Sequence, residues 1–399
     1  MKTTEARVAE CLERIQAREP EIRAWAYVDR EHALAQARAL DRTPPRGPLH
    51  GVPIGIKDVL DTHDMPTEYG SSVYKGFRPK EDSNIVAALR RAGAVIVGKT
   101  RTTEFASPIP VGVRNPLDFT RTPGVSSSGS AAAVADGMIP IALGTQTGGS
   151  VIRPAAYCGI YGYKASLDTL DRGGIRHLRP TLDTLGVLAR SLDDIALVQG
   201  SEIRPLDRKP RVGFCRTHEW PLAKPEMQQA VLQAADKLGA EEVELPALFA
   251  DALESFRVIV LRESAMAYAT EFRDHLDTMN DWLRNVAAEA ATITDAQYAR
   301  ALDHATRCRA YLADIFRTFD TLITPATAGE ASQKLTGLED QTFCPLWTLM
   351  HGPCATIPAF KGPNGMPMGL QIVGAVNTDA HLVAVARWID SALNTEKAR

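Results

Sequence analysis

Between residues 51 and 200, short runs of β-branched and apolar residues alternate with stretches of helical periodicity, and few folds accommodate that alternation. VPIGI, AVIVG and MIPIAL are the strand-like runs; IVAALRRA, SSGSAAAVADG and SLDDIALVQG are the helical ones. Each kind of element has one apolar face to bury, so the alternation lays helices on a sheet, the pattern of an α/β protein. The first forty residues carry helical periodicity interrupted at Glu19–Pro20, which predicts helices over one surface of the core. Residues 225–318 read as mostly helical; TLITPA (321–326) and MGLQIVG (368–374) read as late strands, with AHLVAVARWIDSAL a final helix. No internal repeat, low-complexity tract or linker divides the chain. The expectation is one α/β domain over 1–399, a twisted mixed β-sheet covered by helices on both faces. Within it lie N-terminal helices (1–50), a core (51–200), a mostly helical variable region (201–320), and C-terminal strands with a helix (321–399).

Composition narrows the function classes. With 45% hydrophobic residues, 23% charged and a net charge of −3, the chain has the balance of an ordinary soluble enzyme, and nothing calls for a nucleic acid or membrane partner. The longest apolar stretches, MIPIAL (138–143) and FRVIVL (256–261), fall far below the roughly 20 residues that span a bilayer. The first thirty residues carry acids throughout and no signal-peptide core, so a cytoplasmic location is expected. Cys11, Cys158, Cys215, Cys308, Cys344 and Cys354 form no CxxC pair and have no matching His spacing. They read as reduced core residues, and no metal site is expected.

One motif points to a nucleotide. GAVIVGKT (93–100) fits Gly-x4-Gly-Lys-Ser/Thr letter for letter, a pattern that binds phosphate when its middle residues form an amide-lined loop between a strand and a helix. Here the middle residues are Ala94, Val95, Ile96 and Val97, three of them β-branched, which suits a strand. A helix over 81–92 precedes them and Gly93 is its stop. The order is reversed, and the P-loop is rejected.

Three other stretches carry chemistry. In GVPIGIKD (51–58), Val52, Ile54 and Ile56 alternate with Pro53, Gly55 and Lys57, so Lys57 ends an apolar strand on its opposite face. A lone Lys is usually a solvated strand end; buried here, its pKa would drop from about 10.4 and make it a base. RTPGVSSSGSAAAVADG (121–137) is a small-residue turn entering an Ala-rich helix, where serines serve at least as caps. LGTQTGGSVIRPAAYCG (143–159) follows a strand and ends in a Pro-Ala-Ala helix start. Gly148–Gly149 lets backbone N–H groups converge without Cβ obstruction, and Ser150 follows at once, as an oxyanion hole beside a nucleophile requires. No GxSxG elbow occurs, and Ser72-Val-Tyr-Lys75 matches SxxK without companion motifs.

The chain resembles the amidase signature hydrolases, and is most similar to their compact, malonamidase-like members. The resemblance runs through GVPIGIKDVLDT (51–62), VGKTRTTEFA (97–106), RNPLDFTRTPGVSSSGSAAAVADG (114–137), GTQTGGSVIRPAAYCGIYGYK (144–164), LDTLGVLARSLDD (182–194) and MPMGLQIVG (366–374), and is weakest over 200–320. It implies a Ser–cis-Ser–Lys triad of Ser150, Ser126 and Lys57, an acyl-enzyme, and an oxyanion hole of the Thr147, Gly148, Gly149 and Ser150 N–H groups. It also implies a cis peptide at Val125–Ser126, no cofactor or metal, and a small-molecule amide as substrate; a homodimer is compatible with it. Three departures stand out. Val125 and Ser128 replace glycines of the family's GGSSGG, Gln146 replaces an acidic residue, and the arginine after the nucleophile has moved by one position to Arg153. Three residues beyond Ser150, Arg153 either faces the pocket and anchors a substrate carboxylate or pairs with a structural acid. Tyr74, Thr102, Trp347, His351 and Cys354 are pocket candidates by position, although packing is the commoner role for each. The expected function is hydrolysis of a small amide, with carboxylate-bearing amides preferred. The alternatives are the A-type component of a glutamine-dependent tRNA amidotransferase, which needs partner chains, and a non-catalytic scaffold retaining the fold.

Overall fold

A computed structural model describes residues 2–176, 179–333, 335–336 and 341–394. Its strands are β1 (Trp25–Val28), β2 (Pro53–Lys57), β3 (Val95–Thr100), β4 (Ile141–Gln146), β5 (Tyr161–Lys164) and β6 (Thr184–Ala189), followed by β7 (Val212–Arg216), β8 (Glu241–Glu244), β9 (Thr321–Pro325), β10 (Cys354–Lys361) and β11 (Pro367–Val373). Among the described residues they form a single sheet in the order β1-β3-β2-β4-β6-β5-β10-β11-β9-β7-β8. The sheet is mixed. β2 runs parallel to both β3 and β4, whereas β6 is antiparallel to β4 and β5.

Two-residue periodicity divides the sheet into two apolar faces. Ile54 and Ile56, Ile96, Ile141 and Leu143, and Val187 pack with Ile85, Val86 and Leu89 of the helix Asn84–Arg91 and with Leu382, Val383, Val385, Ala386 and Ile389 of the helix Asp379–Leu393. Val95 and Val97, Ala142 and Leu188 pack on the other face, against Val8, Leu12 and Ile15 of the helix Thr4–Ile22 and Ala131–Val134 of the helix Ser128–Ala135. Helices therefore cover both faces, as the alternating sequence requires. A third apolar cluster gathers the helices Ala252–Ala267, Asp281–Ala290 and Asp295–Ile315 against Leu322 and Val373 of the late strands.

The segment AVIVGKT is strand, with β3 buried throughout. Lys99 donates from Nζ to the Leu60 carbonyl at 2.8 Å and lies 3.5 Å from Asp58, so the lysine of the apparent P-loop is a buried structural cation. The N-terminal helix corrects one expectation. It runs through Pro20 from Thr4 to Ile22 and ends where Arg23, at φ 59, donates its N–H to Glu19 O. Pro20 falls in the last turn, where its missing N–H forfeits one i→i−4 bond, and the left-handed cap at Arg23 closes the helix soon after.

Candidate active site

Lys57 ends β2, flanked by β3 and β4, the two strands that run parallel to it. Its side chain has no exposed surface. Burial pushes its ammonium down to about 7, with Arg179 adding to the fall and Asp183 opposing it. Nζ lies 2.6 Å from Ser126 Oγ and 2.8 Å from Thr145 Oγ1, with the Thr145 carbonyl at 3.4 Å. A lysine so placed near neutrality is poised to exchange a proton with the serine it touches.

Ser126 reaches Lys57 through a left-handed turn. Gly124 has φ 84 and Ser126 φ 61, and the described chain has no cis peptide. The Val125–Ser126 bond is thus trans, which corrects the cis bond implied by the resemblance; the two positive-φ residues supply the reversal of direction instead. Ser127 N–H donates to Val125 O at 2.8 Å inside that turn. Ser127 Oγ contacts the Thr145 carbonyl at 3.3 Å and accepts from Thr145 N–H at 3.4 Å, and Ser130 Oγ donates to Leu143 O at 2.8 Å. These contacts fasten the serine-rich turn and its helix to β4.

The chain leaving β4 makes the Thr147–Ser150 turn. Gly149 takes φ 143, a conformation nearly restricted to glycine, and a Cβ on Gly148 would stand 2.0 Å from Gln341 Oε1. Ser150, partly buried, sits on this turn immediately before the helix Ile152–Cys158. Gln146 Oε1 accepts from the N–H groups of Val151 and Ile152, each at 3.0 Å, while its Nε2 donates to Thr348 Oγ1 at 3.3 Å. An amide oxygen therefore fulfils the acceptor role of a carboxylate here, and the NH2 group finds its own partner. Arg153 N–H donates to Gly149 O at 3.0 Å, and the arginine is 97% buried beside the turn.

A small cavity opens beside these groups. Its walls include Thr145 and Thr147 from the end of β4 and its turn, the aromatic rings of Tyr69, Phe105 and Tyr268, and Arg176, Arg179 and Asp183. The space open to water is only about 20 Å³, room for about one water molecule. Thr147 Oγ1 donates to Asp183 and accepts from Arg179 Nη1 at 3.3 Å, and Arg179 Nε donates to Ser264 Oγ at 2.8 Å. Arg153 is not among the cavity walls.

A family model described as Amidase matches residues 6–383. The chain belongs to the amidase family. Its curated relatives include proteins named as the A-type component of glutamyl-tRNA(Gln) amidotransferase. That of Chloroflexus aggregans is 32% identical, the match covering 94% of this chain and 90% of the relative; that of Synechococcus elongatus is 31% identical, covering 92% and 89%. Among solved structures, an amidase 29% identical superposes with a TM-score of 0.89 over 98% of this chain and 96% of the other. The peptide amidase of Stenotrophomonas maltophilia, 28% identical, gives 0.83 over 98% and 94%. The chain is thus an enzyme of a family acting on amide C–N bonds, with that family's single-domain α/β fold.

Of the other pocket candidates in this amidase-family chain, Trp347 and Cys354 are fully buried core residues. Thr102 lines a separate cleft with Asp58 and Arg101. His351 Nε2 is 2.8 Å from the Thr181 carbonyl, and burial lowers its pKa to about 4. Tyr74 stacks under Arg176, whose guanidinium carbon is 4.4 Å from the ring centroid. Among the cavity residues that sequence reasoning missed are Tyr69, Phe105, Thr145, Arg176, Arg179, Asp183 and Tyr268. Arg179 and Asp183 are four apart and paired at 3.6 Å, but nothing in their spacing distinguishes them from a surface pair.

Proposed function

We propose that the protein hydrolyses a small amide to a carboxylic acid and ammonia or an amine through an acyl-enzyme. Neutral Lys57 accepts a proton from Ser126 as Ser126 accepts one from Ser150, and Ser150 Oγ forms a bond to the amide carbonyl carbon. The N–H groups of Thr147, Gly148, Gly149 and Ser150 take the negative charge that develops on the carbonyl oxygen. The relay then runs in reverse, protonating the nitrogen as the C–N bond breaks. Water enters along the same proton path, releases the acid and restores Ser150. The observation that carries this reading is the fully buried Lys57, with a pKa near 7, placed 2.6 Å from Ser126 Oγ.

The test is ammonia release from a panel of short amides. Wild type is expected to turn over at least one of them, and Ser150→Ala to lower kcat by about 10⁶-fold. Activity that survives Ser150→Ala would overturn the assignment of the nucleophile. A second reading, the ammonia-supplying component of a tRNA amidotransferase, draws support from the names of the curated relatives. Glutamine hydrolysis that appears only with partner chains would favour it.

A further inference from the structure

We propose that the protein binds a small tetrahedral oxyanion, of the phosphate class, in a second cavity built on the serine-rich turn by Arg23, Arg114 and Ser128. The cavity shares Gly124 and Ser128 with that turn, and its walls include none of Lys57, Ser126 or Ser150. The site is therefore separate from the proposed relay and stands without the amidase reading.

The first observation is a buried hydroxyl with nothing to bond. The turn and its helix carry four serines, and three are fastened: Ser126 Oγ meets Lys57, Ser127 Oγ meets the Thr145 carbonyl, and Ser130 Oγ donates to Leu143 O. Ser128 is only 2% exposed and lines the cavity, and among the described residues its hydroxyl has no hydrogen-bond partner. Thr122, on the same walls, accepts from Gly124 N–H at 3.1 Å and likewise has a hydroxyl hydrogen to give. Buried hydroxyls are as a rule hydrogen-bonded, so these two call for an acceptor in the cavity.

The second observation is unbalanced positive charge. Arg23 caps the helix Thr4–Ile22 at φ 59, and Arg114 N–H donates to Ile22 O at 2.9 Å, which sets the two arginines side by side on the cavity. Among the described residues neither guanidinium makes a hydrogen bond or ion pair. Arg114 lies over the Phe119 ring with its guanidinium carbon 5.9 Å from the centroid, a contact that leaves its N–H edges open. The acids of the surrounding elements are committed elsewhere. Glu19 accepts the Ala24 and Trp25 N–H groups, Glu21 pairs with Arg18, Asp118 with Arg121, and Asp136 with Arg14 and Arg18. Water would satisfy the hydroxyls, but two uncompensated guanidinium groups favour an anion. The helix Ser128–Ala135 begins at the cavity, and its N-cap Ser127 makes no side-chain capping bond, so the positive end of the helix adds to the same field.

Shape and size select the ligand. The donors come from three separate segments, a helix cap, a loop and a helix start, and a tetrahedral oxyanion can offer an oxygen to each, whereas a carboxylate presents two oxygens in one plane. The cavity has about 190 Å³ open to water, less than the roughly 300 Å³ at which pockets for larger ligands begin. That volume admits a hydrated phosphate and excludes a nucleotide.

The test measures inorganic phosphate binding by calorimetry at constant ionic strength, in wild type, Arg114→Gln, Arg23→Gln and Ser128→Ala, with acetate as the planar comparison. Wild type is expected to bind one phosphate saturably, each arginine variant to bind it at least about fivefold more weakly, and acetate to bind at least about tenfold more weakly than phosphate. Arg23 is exposed, so its replacement tests the site without disturbing packing. Phosphate is also expected to slow hydrogen exchange in peptides spanning 121–131 of wild type and to leave Arg114→Gln unchanged, which a general salt effect would not do. No saturable binding, binding indifferent to both arginines, or acetate binding as tight as phosphate overturns the proposal. None of these readouts uses amide hydrolysis, so this proposal and the amidase reading fail separately.

Discussion

At the scale of single residues, the proposed chemistry turns on one buried amine. Lys57 exists in water as an ammonium up to a pH of about 10.4; inside the sheet, burial brings it down to about 7. On the proposed reading the neutral amine is the base, so kcat/KM for a neutral amide is expected to rise tenfold per pH unit below 7 and to level above it. Lys57→Met is expected to lower kcat by about 10²–10⁴-fold and to abolish that limb of the profile, which stopped-flow or discontinuous ammonia assays across pH 5–9 would read. A pH-independent wild type would exclude Lys57 as the base. Gln146 makes a second case. Its amide oxygen holds the Val151 and Ile152 N–H groups while its nitrogen donates to Thr348. In Gln146→Glu the oxygen contacts persist, but the charge is buried and Thr348 must turn its hydroxyl to donate. Gln146→Ala removes the acceptor altogether and leaves two buried donors unpaired. Each unpaired donor costs about 1–3 kcal/mol; the thermal midpoint is therefore expected to fall more in Gln146→Ala than in Gln146→Glu, and calorimetric melting curves of the two variants would check the order.

At the scale of elements, the serine-rich helix is held by close backbone approach. A Cβ on Gly129 would meet Ala24 O at 2.4 Å and Arg101 O at 2.5 Å, both rigid main-chain atoms. Gly129→Ala must push the helix Ser128–Ala135 away from β3, and such overpacking costs about 1–3 kcal/mol. Because Ser126 precedes that helix, the variant is also expected to lose activity at temperatures where it remains folded; melting curves read alongside kcat separate the two effects. The same region shows what sequence alone can convey. β2, β3 and β4 are legible because each is a fully buried strand with a β-branched or aliphatic run, and Lys57 stands out as the polar end of one. The paired glycines before Ser150 announce a tight turn. β5, β6 and β10 are harder to read: YGYK, TLGVLA and CATIPAFK lack clean alternation, since both faces are covered. β7 and β8 lie close to a region dominated by helical periodicity. The helix through Pro20 defies the usual reading, in which a helix ends before a proline. Ser126 is legible through the family motif, but its trans, left-handed geometry is not, and neither is the cavity: its aromatic and charged walls come from residues 69, 105, 176, 179, 183 and 268, which only the folded sheet brings together.

At the scale of the whole molecule, the decisive question is whether the site works without another chain. The proposed base, the serine it touches, the Gly-Gly-Ser turn and a cavity walled by aromatic and charged side chains all lie in this chain. Among the described residues no helix is long and apolar enough to cross a membrane. Of the two sheet edges, β8 is written Glu-Glu-Val-Glu with only Val243 buried, and a row of like charges on an edge strand opposes strand addition by another protein. With the proposed relay residues in one chain, a partner would act only by changing their arrangement. The purified chain is therefore expected to hydrolyse its amide with the same kcat whether or not cell extract is added back, to elute free of other polypeptides, and to need neither ATP nor tRNA. Size-exclusion chromatography with mass analysis, followed by ammonia release from the same fractions, measures all of this at once. Activity that appears only on adding extract, or only toward glutamine in the presence of a co-eluting protein, would reverse the order of the two functional readings, because the relay would then be held in an inactive arrangement until a partner docks.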